Sequence, residues 1–362
     1  MRRAAALAGG LAIALALMEG AARWAGPPPG PAAVPLLRGG LTAPGEHRLR
    51  TSEFDVTVHV NADGFVDRDW HGTSASDVAG PRRVMLIGDS FVQAAQVPLE
   101  AGWGRRLEQA AGDAGGAAVE VRSLGVPGAG TATALELLSR YGPAYRPDVV
   151  LLAFLVANDV LNNHPLLEEK DDKPFYTLQA GRLVRTDALT RASVLPRWLA
   201  RSAAATWGWR AWNARRRVAA KVAHGRGMPI DLRVHDPASS PVWEEAWAVS
   251  EALVAAMSGR ARAMGARFGV LLVPDGPMSN DRDRDRATAR WPAAAGWDFG
   301  AAQRRAQAMA GRHAPTCDLL PALHGSPESY FALDGHWTTE GHARAARATA
   351  ACLAAWQRER PD

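Results

Sequence analysis

The stretch "PDVVLLAFLVAND" at 147–159 constrains the fold more than any other part of the chain. Its apolar core is continuous rather than alternating, so a strand formed there must be covered on both faces. That is the condition of a central strand in a parallel, helix-flanked sheet. Shorter apolar runs at 84–87 and 268–273 read as companion strands, 119–124 reads as another strand, and 54–60 alternates as a half-exposed strand. Helical patterns fall between and after them, at 99–111, 131–141, 242–264, 301–312 and 339–356. Strands alternating with helices predict an α/β fold around a central parallel sheet. With 47% hydrophobic and 22% charged residues, 362 residues can bury a full core.

Three segments depart from this pattern. The N-terminus carries Arg2 and Arg3, then an apolar run over 4–18 broken by Glu19, then the linker "GPPPGPAAVP". This predicts a signal peptide or signal-anchor over 1–25, a linker with a strand and turn over 26–80, and a body from 81 to 362. On that reading the body is exported and the membrane is a partner through the N-terminal segment. Periodicity is poor over about 160–240, which is expected to be a helical insertion with a helix around 194–220. His164, His224 and His235 are expected to be solvated there. The stretch "SNDRDRDRATAR" at 279–290 reads as a charged, solvated loop.

The formal charge is +5 and the pI about 9.7. The excess arginine is dispersed and no nucleic-acid module accompanies it, so nucleic acid is not expected as a partner. Cys317 and Cys352 match no metal spacing. They either pair, if the body is exported, or remain two buried thiols. Nothing in the sequence calls for a cofactor.

In open parallel sheets, ligands bind beyond the carboxyl ends of the strands. Three polar features lie at such ends: Gly88-Asp89-Ser90, the loop "GVPGAGT" at 125–131, and Ala157-Asn158-Asp159. Ser90 opens a helix, where a serine is ordinarily a cap. The tail "YFALDGHWTTEGHARAA" supplies what a nucleophile needs: His336 as base and Asp334, two residues before it, to orient the imidazole. Oxyanion donors are available from the Ser90 backbone N–H, from Gly128 and from the Asn158 amide. Asp89 is expected to hold the turn, and His342 to pack within the last helix.

Ser90 in "GDS", Gly128 in "GVPGAGT", Asn158 in "AND" and His336 in "DGHW" resemble, in order, the four blocks of the SGNH (GDSL-type) hydrolases. The resemblance covers the chain from Val84 onward, the insertion excepted. It implies a three-layer α/β/α sandwich of flavodoxin-like type. It also implies a Ser90–His336–Asp334 triad, with Gly128 and Asn158 helping to form the oxyanion hole. The expected activity is cleavage of an ester, with an acyl or acetyl group on a small molecule, carbohydrate or lipid. "VNADGFVDRDW" ahead of the first block resembles the preamble of anchored bacterial members. Two features depart from the commonest pattern. Ala157 stands where many members have Gly, and the Asp-to-His spacing is one residue shorter. The short spacing followed by Trp337 resembles periplasmic members of the alginate-acetylating group, which makes an O-acyltransferase the alternative. A non-catalytic anchored protein on the same fold is a third reading. A haloacid-dehalogenase-type phosphatase would need a nucleophilic Asp in an Asp-x-Asp. Asp67-Arg68-Asp69 is the one early candidate, and it is poorly placed after a turn.

Overall fold

The computed structural model describes residues 43–70, 80–113, 118–168, 173–187 and 228–358, with short helical pieces at 16–24 and 202–205 and single positions at 14 and 208. The chain first forms an antiparallel hairpin, β1 (Gly45–Arg50) and β2 (Asp55–Val60). The sheet proper begins with β3 (Arg82–Gly88), followed by the single turn α1 (Ser90–Gln93) and by α2 (Trp103–Asp113). Next come β4 (Val119–Gly125), α3 (Thr131–Tyr145), β5 (Val149–Leu155) and α4 (Val156–Asn162). A second hairpin, β6 (Pro174–Gln179) and β7 (Arg182–Asp187), precedes α5 (Pro241–Ala263) and β8 (Arg267–Val273). The C-terminal part holds α6 (Asp281–Arg290), α7 (Ala301–Gly311), β9 (Thr316–Asp318) and α8 (Thr339–Arg358).

The central sheet is five-stranded, in the order β4-β3-β5-β8-β9, with every pair parallel. All seven residues of β5 are buried, as a continuous apolar run requires. Strand alternation divides the core in two. Met85, Ile87, Val150, Leu152 and Phe154 face Leu137 and Leu138 of α3, Val254 and Met257 of α5, and Ala306 and Ala310 of α7. Val84, Leu86, Leu151 and Ala153 face Trp103 and Leu107 of α2 and Ala345, Ala346 and Leu353 of α8. The result is the three-layer α/β/α sandwich expected. From β3 the chain turns outward to β4 and then returns to β5 on the other side. Such a topological switch point, at the carboxyl ends of the strands, is where folds of this kind take ligands.

Two expectations are corrected. The stretch at 279–290 is largely the helix α6 rather than a loop. Its Asn280 side chain accepts from the Asp283 N–H as an N-cap, Asp281 and Asp283 occupy the first turn, and Arg284 pairs with Asp281 at 2.7 Å. The insertion, expected to be helical, contains the β6–β7 hairpin. Ala180 (φ 48°) and Gly181 (φ 74°) form its two-residue connection, the left-handed pair that matches strand twist. The helix expected at 194–220 lies outside the described residues except for 202–205 and position 208. Most of the apolar run at 4–18 also lies outside them. Among the described residues, no helix is long and apolar enough to cross a membrane.

Cys317 on β9 and Cys352 on α8 are joined in a disulfide across 35 residues. Closing a loop of that size stabilises by about 2–4 kcal/mol, chiefly by restricting the unfolded chain. Cys352→Ser is therefore expected to lower unfolding stability by about that amount in urea titrations under oxidising conditions. An unchanged midpoint would show that the bridge contributes nothing.

Candidate active site

Ser90 begins α1 directly after β3. Asp89 precedes it and caps the turn, accepting from the Phe91 N–H at 3.0 Å. The last turn of β4 lies so close that a Cβ on Gly125 would meet the Gln93 backbone nitrogen at 2.0 Å. Glycine is thus required there by space, and it lets the end of β4 approach the turn that carries Ser90. Ser90 is the first residue of its helix, so its N–H has no intrahelical acceptor.

The loop after the short turn at Pro327–Ser329 brings the base. The ring of His336 packs against Phe91, with centroids 5.0 Å apart, and Trp337 is fully buried against Phe91 and Trp103. His336 Nδ1 lies 2.6 Å from Asp334 Oδ1. A carboxylate only accepts, so Nδ1 carries the hydrogen and Nε2 presents its lone pair. Ser90 Oγ lies 2.7 Å from that Nε2 and donates to it. Serine, imidazole and carboxylate thus form one unbroken chain of short hydrogen bonds.

The oxyanion candidates separate clearly. Gly128 has φ of 68°, the left-handed region that favours glycine. Its loop is pinned at one end by Val126 N–H, which donates to Gly88 O at 3.0 Å. The carbonyl of Gly128 accepts from the Lys173 ammonium, which is itself paired with Glu168 in the interior. Glu168 also accepts from Asn162 Nδ2 at 2.6 Å. Gly130, by contrast, is needed for packing: a Cβ there would meet Asn162 Cβ and Asn163 Oδ1, each at 2.8 Å. Asn158 sits in the first turn of α4, and its Nδ2 donates to Asp89 Oδ2 at 3.2 Å. One amide hydrogen is thereby held by the residue next to Ser90. Asp89 therefore does more than hold the turn; it ties the turn that carries Ser90 to Asn158. Burial pushes its carboxyl up, against the Phe91 N–H and the Asn158 amide.

Ala157 is buried in α4 and is not among the residues with positive φ. The site accommodates it in ordinary helical backbone, and no glycine is needed. Asp159 faces inward, accepting from Thr131 Oγ1 at 2.8 Å and from Leu155 N–H at 2.9 Å. Burial and the neighbouring Asp89 carboxylate push its carboxyl well above the ordinary range.

Other expectations are revised. His164 and His235 are buried rather than solvated, and His235 Nε2 contacts Asp275 at 2.9 Å. His224 lies outside the described residues. Asp67 is fully buried, accepting from Ser123 N–H at 2.9 Å and Trp70 Nε1 at 3.0 Å, with Arg105 at 3.3 Å. It staples the N-terminal segment to the body, which leaves no phosphatase nucleophile in Asp67-Arg68-Asp69. His342 packs as expected, edge-on to Trp337. Burial, and secondarily His336, pushes its imidazole down to about 3. The folded state therefore keeps His342 neutral at pH values where the unfolded chain, near 6.5, binds a proton. That contribution to stability is present above pH 6.5 and is lost progressively as pH falls towards 3. His342→Leu is expected to flatten the decline of unfolding stability between those values, measured by urea titration at several pH values. An unchanged slope would assign the acid sensitivity elsewhere.

No family model matches the chain, and no curated protein matches it. Solved structures do. One named TesA is 16% identical, with the match spanning 75% of this chain and 98% of that one at a TM-score of 0.42. The psychrotrophic esterase EstA from Pseudoalteromonas sp. is 13% identical over 77% of this chain and 100% of that one, TM-score 0.40. A lipase/acylhydrolase from Enterococcus faecalis is 13% identical over 78% and 98%, TM-score 0.38. These are proteins the chain is similar to; its chemistry is read from its own side chains.

Proposed function

We propose that this chain is an SGNH-type serine hydrolase that cleaves esters through an acyl-enzyme. The observation that carries the reading is the relay from Ser90 Oγ to His336 Nε2 (2.7 Å) and from His336 Nδ1 to Asp334 (2.6 Å). Ser90 Oγ attacks the ester carbonyl while its proton passes to His336 Nε2. The carbonyl oxygen becomes an oxyanion, met by the Ser90 and Gly128 N–H groups and the Asn158 amide. Collapse breaks the ester C–O bond, and the imidazolium protonates the departing alcohol. Water, deprotonated by the same imidazole, then attacks the acyl-Ser90 ester; collapse returns the proton to Ser90 and frees the carboxylic acid. The Asp334-Gly335-His336-Trp337 run favours one second reading, in which a carbohydrate hydroxyl replaces that water and the product is a new ester.

We further propose that the body works outside the cytoplasm, joined to the membrane through its N-terminal segment. Arg2 and Arg3 ahead of an apolar run support this orientation. So does the Cys317 to Cys352 disulfide, since such bridges persist in oxidising compartments. The test of the site is covalent labelling of the full chain with a fluorophosphonate. The wild type is expected to label and Ser90→Ala not to. Equal labelling of both, or none of a folded wild type, overturns the assignment. Supplying acetyl ester with a polysaccharide acceptor separates the two product readings: free acetate identifies hydrolysis, and acetylated polysaccharide identifies transfer.

A further inference from the structure

The triad's acid lies in an exposed loop, and the loop is held by charge from two other elements. Asp334 is about a quarter exposed (26% of its side chain), and Leu333 beside it is 75% exposed. Side-chain packing therefore does little to fix this corner. Its backbone is fixed instead. The Glu53 carboxylate accepts from the Leu333 N–H at 2.9 Å and from the Asp334 N–H at 2.7 Å. From the other side, Arg282 of α6 donates to the Tyr330 carbonyl at 3.2 Å and Arg286 donates to the Ala332 carbonyl. Gly335, at φ 83°, then turns the chain so that Asp334 meets the ring two residues on.

Glu53 is itself well placed to act as a fixed point. It lies in the turn of the β1–β2 hairpin, where Thr51 Oγ1 accepts from the N–H groups of Glu53 and Phe54 at 3.1 and 3.2 Å. Phe54 packs on Phe331 of the acid loop, centroids 5.3 Å apart. The same hairpin buries Val56, Val58 and Val60 against Val66 and Ala95, and Ala95 follows directly on the nucleophile's turn. The hairpin thus touches both the segment after Ser90 and the segment before His336.

We propose that Glu53 is a positioning residue: the β1–β2 hairpin acts as a strut that sets the Asp334–His336 loop against Ser90. The inference rests on the triad reading. It assigns a mechanistic role to the segment ahead of the four motif blocks. A misplacement of an ångström at a reacting group costs about 10²-fold, so the strut acts on turnover rather than on substrate affinity.

The test uses the full chain, a soluble p-nitrophenyl ester and the fluorophosphonate. Glu53→Ala is expected to lower kcat and the labelling rate by about 10- to 100-fold with KM within about twofold. Glu53→Gln is expected to recover most of that loss, because its side-chain carbonyl still accepts from the Asp334 N–H. In an Asp334→Ala background, Glu53→Ala is expected to have no further effect, since the two act as one unit. A wild type that labels alongside a Glu53→Ala variant that labels equally fast overturns the strut alone. An undiminished loss in the Asp334→Ala background likewise overturns it, by showing a general effect on the fold. A folded wild type that does not label overturns the triad reading and the strut with it.

Discussion

Replacing Ser90 by alanine is expected to abolish ester hydrolysis while leaving the protein folded. Removing the nucleophile of a serine hydrolase lowers kcat by on the order of 10⁶-fold, and the residual rate comes from the oxyanion donors and from binding. The structure gives reasons to expect little change in stability. Ser90 is not its helix's cap; Asp89 is, and its bond to the Phe91 N–H is untouched by the substitution. The Ser90 hydroxyl donates to His336 Nε2 at a partly exposed position, so its loss leaves the imidazole able to reach water. The variant should therefore melt within a degree or two of the wild type, by the scale on which about 1 kcal/mol moves a protein of this size. Loss of activity together with a collapsed melting transition would instead identify Ser90 as a structural residue.

Asn158→Ala is expected to lower kcat by about 10²- to 10³-fold with a smaller change in KM, the loss typical of removing one oxyanion donor. The donor stabilises charge that develops on the carbonyl oxygen during attack, so its removal registers in turnover more than in binding. The variant also leaves the Asp89 Oδ2 without the amide that donates to it at 3.2 Å. Asn158→Asp separates these effects. It fills the same volume but presents no amide donor and sets a second carboxyl against Asp89. It should be as inactive as Asn158→Ala and less stable. Steady-state kinetics with a p-nitrophenyl ester and a urea titration measure both. A variant that retains full kcat would remove Asn158 from the oxyanion site.

The residues proposed to react were legible because their chemistry is carried by side-chain identity. Ser90, Asn158, Asp334 and His336 each follow a strand or occupy a loop, and their order matches a known set of blocks. Gly128 needed the backbone to stand apart from Gly125 and Gly130: only it has positive φ among the three, while Gly125 is required by the approach of Gln93. Glu53 was invisible to sequence reasoning. It acts by accepting backbone N–H bonds some 280 residues further on, and such a contact leaves no pattern in either segment. The helix α6 escaped for a related reason. It has no buried residue, so no apolar stripe marks it, and its caps and ion pairs do the work that periodicity would otherwise reveal. The β6–β7 hairpin carried little signal: neither PFYTLQ nor RLVRTD alternates cleanly, and only the Ala180-Gly181 pair between them marks the turn. The disulfide depended on β9 and α8 being neighbours, a tertiary fact.

The bond from Lys173 to the Gly128 carbonyl bears on any attempt to trim this protein to a smaller enzyme. The region at 160–240 looks expendable when drawn on the sheet, because among the described residues it adds no strand to it. Yet its first residues reach back beneath the oxyanion loop. Excision from just after α4 would take away Glu168 and Lys173 together, and with them the partner of Asn162 and the cation at Gly128. On the proposed reading, the minimal catalytic unit extends past the motif blocks into the insertion, at least as far as the start of β6.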